Sequence, residues 1–238
     1  AVVGGAESFE FQRQNKLIQT SWGSGVVAVC EVLPELNHFT ILDALALARE
    51  AGGADGLVCA SVGPLGLGLR LEDYPAGALE DIYRRQCHAL READAILLET
   101  FVELREARAA LVAASDTGLP VIFQIGNTGG GAQRWSRIDS LLNETHRANV
   151  IAVGTNCHHP NEIVRVASYI AARTDLPVTA SANAGHPQIE RGWVTYEYSP
   201  DDFAAFALAL ADAGVAVIGG CCGTTPAHIR KLSNVLAR

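Results

Sequence analysis

Eight short apolar, β-branched runs recur along this chain, and amphipathic segments separate most of them. The runs are Val2-Val3, Val26 to Val29, Leu57 to Ala60, Ala95 to Leu98, Val121 to Ile125, Val150 to Val153, Pro177 to Ala180 and Val215 to Ile218. Helical patterns lie between them at Ile41 to Ala51, Ala78 to Ala93, Leu104 to Ala114, Asn161 to Ala172 and Pro200 to Ala213, with a short polar one within Glu7 to Gln19. Gly52, Gly118 and Gly214 follow three of these patterns, as helix C-terminal glycines do. Strand and helix alternating every thirty residues or so predict an α/β fold, a closed (β/α)8 TIM barrel, as a single domain over residues 1–238. An open doubly wound sheet is the alternative.

The run Gly219-Gly220-Cys221-Cys222-Gly223-Thr224-Thr225-Pro226 does not read as an ordinary strand. Neighbouring strand residues point to opposite faces, so both thiols reach one point only where the chain turns. The glycines permit a turn, and Pro226 suits the first turn of a following helix. Converging thiolates bind a soft or borderline metal, and zinc takes cysteine sulfur readily. Cys157 lies at a similar junction, in Gly154-Thr155-Asn156-Cys157-His158-His159-Pro160. Three cysteine ligands, Cys157, Cys221 and Cys222, leave a tetrahedral zinc one position short, which is the pattern of a catalytic site. A vicinal disulfide is the competing reading of the double cysteine, and a reducing cytosol disfavours it. Cys30, Cys59 and Cys87 read as small buried hydrophobes. His158 and His159 have the chemistry of ligands, or serve as polar loop residues.

Together these motifs resemble the zinc-dependent homocysteine S-methyltransferase family. That family includes betaine- and S-methylmethionine-dependent enzymes and the homocysteine module of cobalamin-dependent methionine synthase. The likeness runs from about Ser61 to the C-terminus and takes in Ser61-Val62-Gly63-Pro64-Leu65-Gly66, Leu98-Glu99-Thr100-Phe101 and Asn183-Ala184-Gly185 beside the cysteine motifs. It implies that Cys157, Cys221 and Cys222 are the catalytic metal ligands. It further implies that Gly5, Ala6, Ser61, Glu99, Asn156 and Asn183 contribute to substrate binding, with Glu99 holding a substrate ammonium. Glu99 also ends an apolar strand, where a carboxylate needs a cationic or hydrogen-bonding partner. A buried structural network is the other reading of Glu99, and Asn156 and Asn183 either orient ligands or tie loops together.

The first third departs from the family. Its opening Asp-Gly-Ala-Met-Gly-Thr corresponds here to Gly4-Gly5-Ala6-Glu7-Ser8, and its Thr-Asn-Thr after the second strand to Cys30-Glu31-Val32. The chain contains no methionine; one after Ala6 would restore part of the first motif but not its aspartate. The resemblance implies homocysteine as the acceptor, and these departures are what leave a different thiol, or a non-catalytic scaffold, as alternatives. The Asn183-Ala184-Gly185-His186-Pro187 segment and Gly192 look most like the methionine-synthase module, which implies a methyl-corrinoid on a separate protein as donor. A sulfonium or betaine compound competes with it.

Charge and composition limit the other classes. A net charge of −8 argues against nucleic acid, which needs a basic face. No apolar stretch approaches the twenty or so residues that span a bilayer, and no basic-then-apolar leader opens the chain, so no membrane partner and a cytoplasmic location are expected. Six cysteines are too sparse for a secreted disulfide scaffold. A homo-oligomer is compatible with this composition. Lys16 and Lys231 lie outside the expected strands, so a Schiff-base lyase on the same barrel is the remote alternative.

Overall fold

The computed structural model describes residues 2–4, 31–33, 49–50, 56–66, 71, 74–131, 133–190 and 193–237. Among them, in chain order, are β1 (Val2–Gly4), β2 (Glu31–Leu33), β3 (Cys59–Val62), α1 (Ala76–Ala89), β4 (Ala95–Phe101), α2 (Leu104–Ser115), β5 (Val121–Ile125) and α3 (Gln133–Leu142). A 3-10 turn (Thr145–Arg147) leads into β6 (Val150–His158), followed by α4 (Pro160–Ala171) and β7 (Val178–Ala182). Then come β8 (Pro187–Glu190), β9 (Trp193–Tyr196), α5 (Pro200–Asp212), β10 (Val215–Gly220) and α6 (Pro226–Leu236).

Strands β3, β4, β5, β6, β7 and β10 form one parallel sheet in chain order, and β1 pairs in parallel with β2. A doubly wound sheet reverses its strand order at a switch point. The larger sheet has no reversal, and its order is that of a (β/α)8 barrel wall. Strands β8 and β9 form an antiparallel hairpin inserted between β7 and α5.

The core lies between the sheet and its helices. Helix α2 buries Ala107, Ala110, Ala113 and Ala114, whose small side chains let it lie close to the strands. Buried Glu106 in its first turn accepts hydrogen bonds from Tyr83 Oη of α1 at 2.8 Å and from the Leu65 amide at 2.7 Å. The Ser61 to Leu65 segment is thereby fixed to two helices. The later helices start on strong local signals. Ser199 and Asp202 cap α5 reciprocally, and α4, α5 and α6 each begin with proline, whose missing N–H costs nothing there. Among the described residues, no helix is long and apolar enough to cross a membrane.

Several expected boundaries move. The Leu57 to Ala60 run begins its strand only at Cys59, because Asp94 Oδ2 takes the Val58 amide at 2.8 Å before the ladder starts. Leu57 is exposed as a result. Strand β6 runs five residues beyond Val153, and α3 and the β8–β9 hairpin are additions. The Val26 to Val29 strand, the Glu7 to Gln19 helix and most of the Ile41 to Ala51 helix lie outside the described residues.

Candidate functional site

Two bulges shape the C-terminal ends of β4 and β6. Against β7, Asn156 pairs with Ser181 and His158 with Ala182, so Cys157 is the extra residue, at φ 61°. A bulge re-aims a side chain that a regular strand would send to the opposite face. Strand β4 breaks register against β5 between Leu98 and Phe101, and Thr100 there has φ 68°. A β-branched residue in this region is strained by about 1–3 kcal/mol and persists only when its surroundings hold it. Asn156, fully buried, is what holds it. Its Oδ1 accepts the Thr100 amide at 3.0 Å, and its Nδ2 donates to Thr100 Oγ1 at 2.8 Å and to Glu99 Oε2 at 3.1 Å. Ser61 Oγ donates to the other Glu99 oxygen.

Beyond β10 the chain turns at once. The Cys221 amide donates to Ala182 O at 2.7 Å, the Cys222 amide to Asn183 Oδ1 at 3.1 Å, and Gly223 takes φ 79°. Both thiols meet Cys157. Cys222 Sγ lies 3.6 Å from Cys157 Sγ and 3.9 Å from Cys221 Sγ, and Cys221 Sγ is 4.0 Å from Asn156 Nδ2. A tetrahedral ion with sulfur at about 2.3 Å requires S–S separations of about 3.8 Å, which both distances from Cys222 match, and all three sulfurs lie within 4.8 Å of one another.

The electrostatics point the same way. Hydrogen bonds from Cys157 and Cys221 pull the Cys222 thiol down to about 3. Those from Cys157 and Cys222, with burial, push Cys221 well up. For Cys157 the bond with Cys221 lowers it, but the bond with Cys222 and burial outweigh this and carry it to about 11. One thiolate is thus tolerated and the next two are resisted, a balance that a divalent cation reverses.

Seven of the nine expected site residues are among the described ones. Ser61, Glu99, Asn156, Cys157, Asn183, Cys221 and Cys222 all lie at or just past the C-terminal ends of their strands, the barrel face on which active sites are built. Asn183 ties the Cys222 turn to β7, its amide donating to His158 O at 2.9 Å. Gly5, Ala6 and Cys30 lie outside the described residues. Glu31 opens β2 rather than following it. Cys87 is buried as expected, but Cys59 is exposed. His158 is no loop residue: it closes β6, is buried, and burial, with Arg134 nearby, lowers it to about 4. His159 caps α4 through its side chain.

Sequence reasoning missed Tyr196. Its ring lies over Gly223, where a Cβ would come within 2.2 Å of it, and its hydroxyl helps lower the neighbouring Cys222. Burial and the three cysteines raise Tyr196 itself. The sequence signal is one-sided: Trp193 to Tyr196 favours strand and Gly192 a turn before it, but in Pro187 to Glu190 only Ile189 favours strand.

A family model described as homocysteine S-methyltransferase matches residues 24–236. A methionine synthase of Mycobacterium tuberculosis is 32% identical over 154 residues, which are 61% of this chain and 13% of that protein. Homocysteine S-methyltransferase 3 of Arabidopsis thaliana is 30% identical over 212 residues, 81% of this chain and 60% of its own length. The metallated form of the homocysteine methyltransferase MmuM from Escherichia coli superposes with a TM-score of 0.61 at 25% identity, over 82% of this chain and 69% of that one. This chain therefore spans a small part of the methionine synthase and three fifths of the plant protein.

Proposed function

The chain belongs to the homocysteine S-methyltransferase family, and from that premise we propose that it is a cytoplasmic thiol S-methyltransferase, with homocysteine the acceptor and methionine the product. Residues 1–238 act as one barrel domain, and Cys157, Cys221 and Cys222 hold zinc. The observation that carries this reading is the convergence of three sulfurs, at 3.6 and 3.9 Å, on the face where Glu99 is also held.

Bound there, zinc would supply the Lewis acidity that keeps a substrate thiol deprotonated at neutral pH. The protein's own groups then position the reactants. Glu99 accepts one hydrogen bond on each oxygen, from Ser61 and Asn156, which leaves lone pairs free for a substrate ammonium. Asn156 fixes that carboxylate beside Cys221, and Asn183 fixes the turn that presents Cys222. Gly5 and Ala6 complete the amino-acid pocket in this proposal. The substrate sulfur attacks the methyl carbon in line; the new S–C bond forms as the donor–methyl bond breaks, and the donor leaves with the electron pair. Holding thiol and methyl group in register supplies much of the acceleration.

The methionine synthase likeness favours a methyl-corrinoid as donor over S-methylmethionine or a betaine. The decisive experiment incubates the zinc-loaded protein with homocysteine and other thiols against methylcobalamin and S-methylmethionine, and detects methylated products by mass spectrometry. Methionine formation is expected. Full zinc and measurable thiol binding without methyl transfer to any thiol would favour a scaffold subunit instead.

A further inference from the structure

We infer that His159, His186 and Glu197 form a second metal site, for a divalent transition-metal ion, beside the cysteine cluster. One ligand atom from each lies within 4.8 Å of the other two. The hairpin register pairs Pro187 with Tyr196, so His186 and Glu197 flank its open end, and His159 reaches them from the start of α4. The His159 and His186 rings stack with centroids 4.5 Å apart and planes at 25°, so the exposed His186 side chain turns out of this stack to bring its nitrogen to a shared ion.

The carboxylate is fixed in place. Glu197 Oε1 lies 2.9 Å from His159 Nε2 and accepts the His186 amide at 3.3 Å. Its stem lies against Gly185, at φ 89°, where a Cβ would come within 2.3 Å of Glu197 Cγ. Two imidazoles and one carboxylate suit zinc, cobalt, nickel or copper, whereas calcium and magnesium prefer oxygen alone. His186 and Glu197 are exposed, so solvent can complete the coordination.

The tautomer sets the strength of the site. His159 Nδ1 accepts the Asn161 amide at 3.3 Å, so without an ion the ring proton sits on Nε2, toward Glu197. An ion taking Nε2 moves that proton to Nδ1 and gives up the long capping contact. The site is therefore weaker than the cysteine cluster. Occupied, it clips the hairpin that carries Tyr196 to the segment that carries Cys157.

Titration of the metal-free full chain with Co2+ tests this. Two equivalents are expected to bind, the first with the near-ultraviolet sulfur-to-cobalt charge-transfer band and the second without it. His186→Ala and Glu197→Gln should each weaken the second by at least about tenfold and leave the band of the first unchanged. If His186→Ala fails to fold, His186→Asn serves in its place. Saturation of the wild type at one equivalent, or a second equivalent undiminished in these variants, would overturn the inference. Either result leaves the cysteine site untouched, because its band is read separately.

Discussion

Asn156 and Thr100 clasp each other across the end of β5: Asn156 Oδ1 accepts the Thr100 amide at 3.0 Å, and Asn156 Nδ2 donates to Thr100 Oγ1 at 2.8 Å. Both sit at bulges, and Thr100 is in the left-handed region. One carboxamide thus stabilises the strained turn that presents Glu99 and joins it to the strand that presents Cys157.

Asn156→Ala should therefore act on the site and the fold together. It strands the Thr100 amide and removes a donor to Glu99, at a cost of about 1–3 kcal/mol for a buried unsatisfied group. We expect a lower urea midpoint and a loss of kcat/KM for methyl transfer larger than the stability change alone explains. Unchanged activity in the folded variant would leave Asn156 with a packing role only.

Gly126 at the end of β5 should be equally intolerant. A Cβ there would lie 2.8 Å from Thr100 O and 3.0 Å from its carbonyl carbon, which is backbone and cannot swing away. Gly126→Ala should cost roughly 1–3 kcal/mol by overpacking and should lower activity by displacing Glu99. Gly130, with nothing within 4 Å of its Cβ position, is the control. Chemical denaturation and kinetics of the pair check this, and Gly130→Ala should stay close to wild type.

How much of this was readable beforehand varies with the kind of signal. The convergence of Cys157, Cys221 and Cys222 was legible because thiol chemistry restricts what Gly-Gly-Cys-Cys-Gly can do, whatever the fold. The succession of strands and helices was legible from alternation, but the strand order was not, since a doubly wound sheet alternates in the same way. The clasp was not. Nothing local marks Thr100 as left-handed, since glycine or asparagine usually fills such positions, and the strain is met by a side chain 56 residues away. Helix α3 was hidden by its polarity, although Trp135, Ile138 and Leu141 recur at helical spacing and the last two are buried.

Metal binding should release protons. In the metal-free cluster Cys222 is lowered to about 3 and ionised at pH 7, whereas Cys157 at about 11 and the raised Cys221 stay protonated. Loading zinc onto three thiolates should then expel about two protons, and affinity should fall steeply as pH drops, since protons compete for sulfur. Calorimetry in buffers of different ionisation enthalpy measures the number. Release of no proton would mean that the thiols are not the ligands. Cys221→Ala should lose most of its zinc by elemental analysis.

Glu99 separates recognition of an amino-acid thiol from a structural role. Its two oxygens are already steadied by Ser61 and Asn156, so a third, cationic partner would find the carboxylate pre-oriented. Glu99→Gln keeps the shape and removes the charge. Breaking a charge pair by removing one partner costs about 2–5 kcal/mol when the pair is desolvated, and half-buried Glu99 belongs at the low end. About 2 kcal/mol is roughly thirtyfold in affinity. Homocysteine binding should weaken by that factor, while 4-mercaptobutyrate, the same thiol without the amino group, should lose little. Zinc content should not change, because Glu99 is not among the proposed sulfur ligands. Equal losses for both thiols, with the metal retained and the fold intact, would assign Glu99 to the Ser61–Asn156 network alone, and the amino group of the acceptor would then have to be held elsewhere.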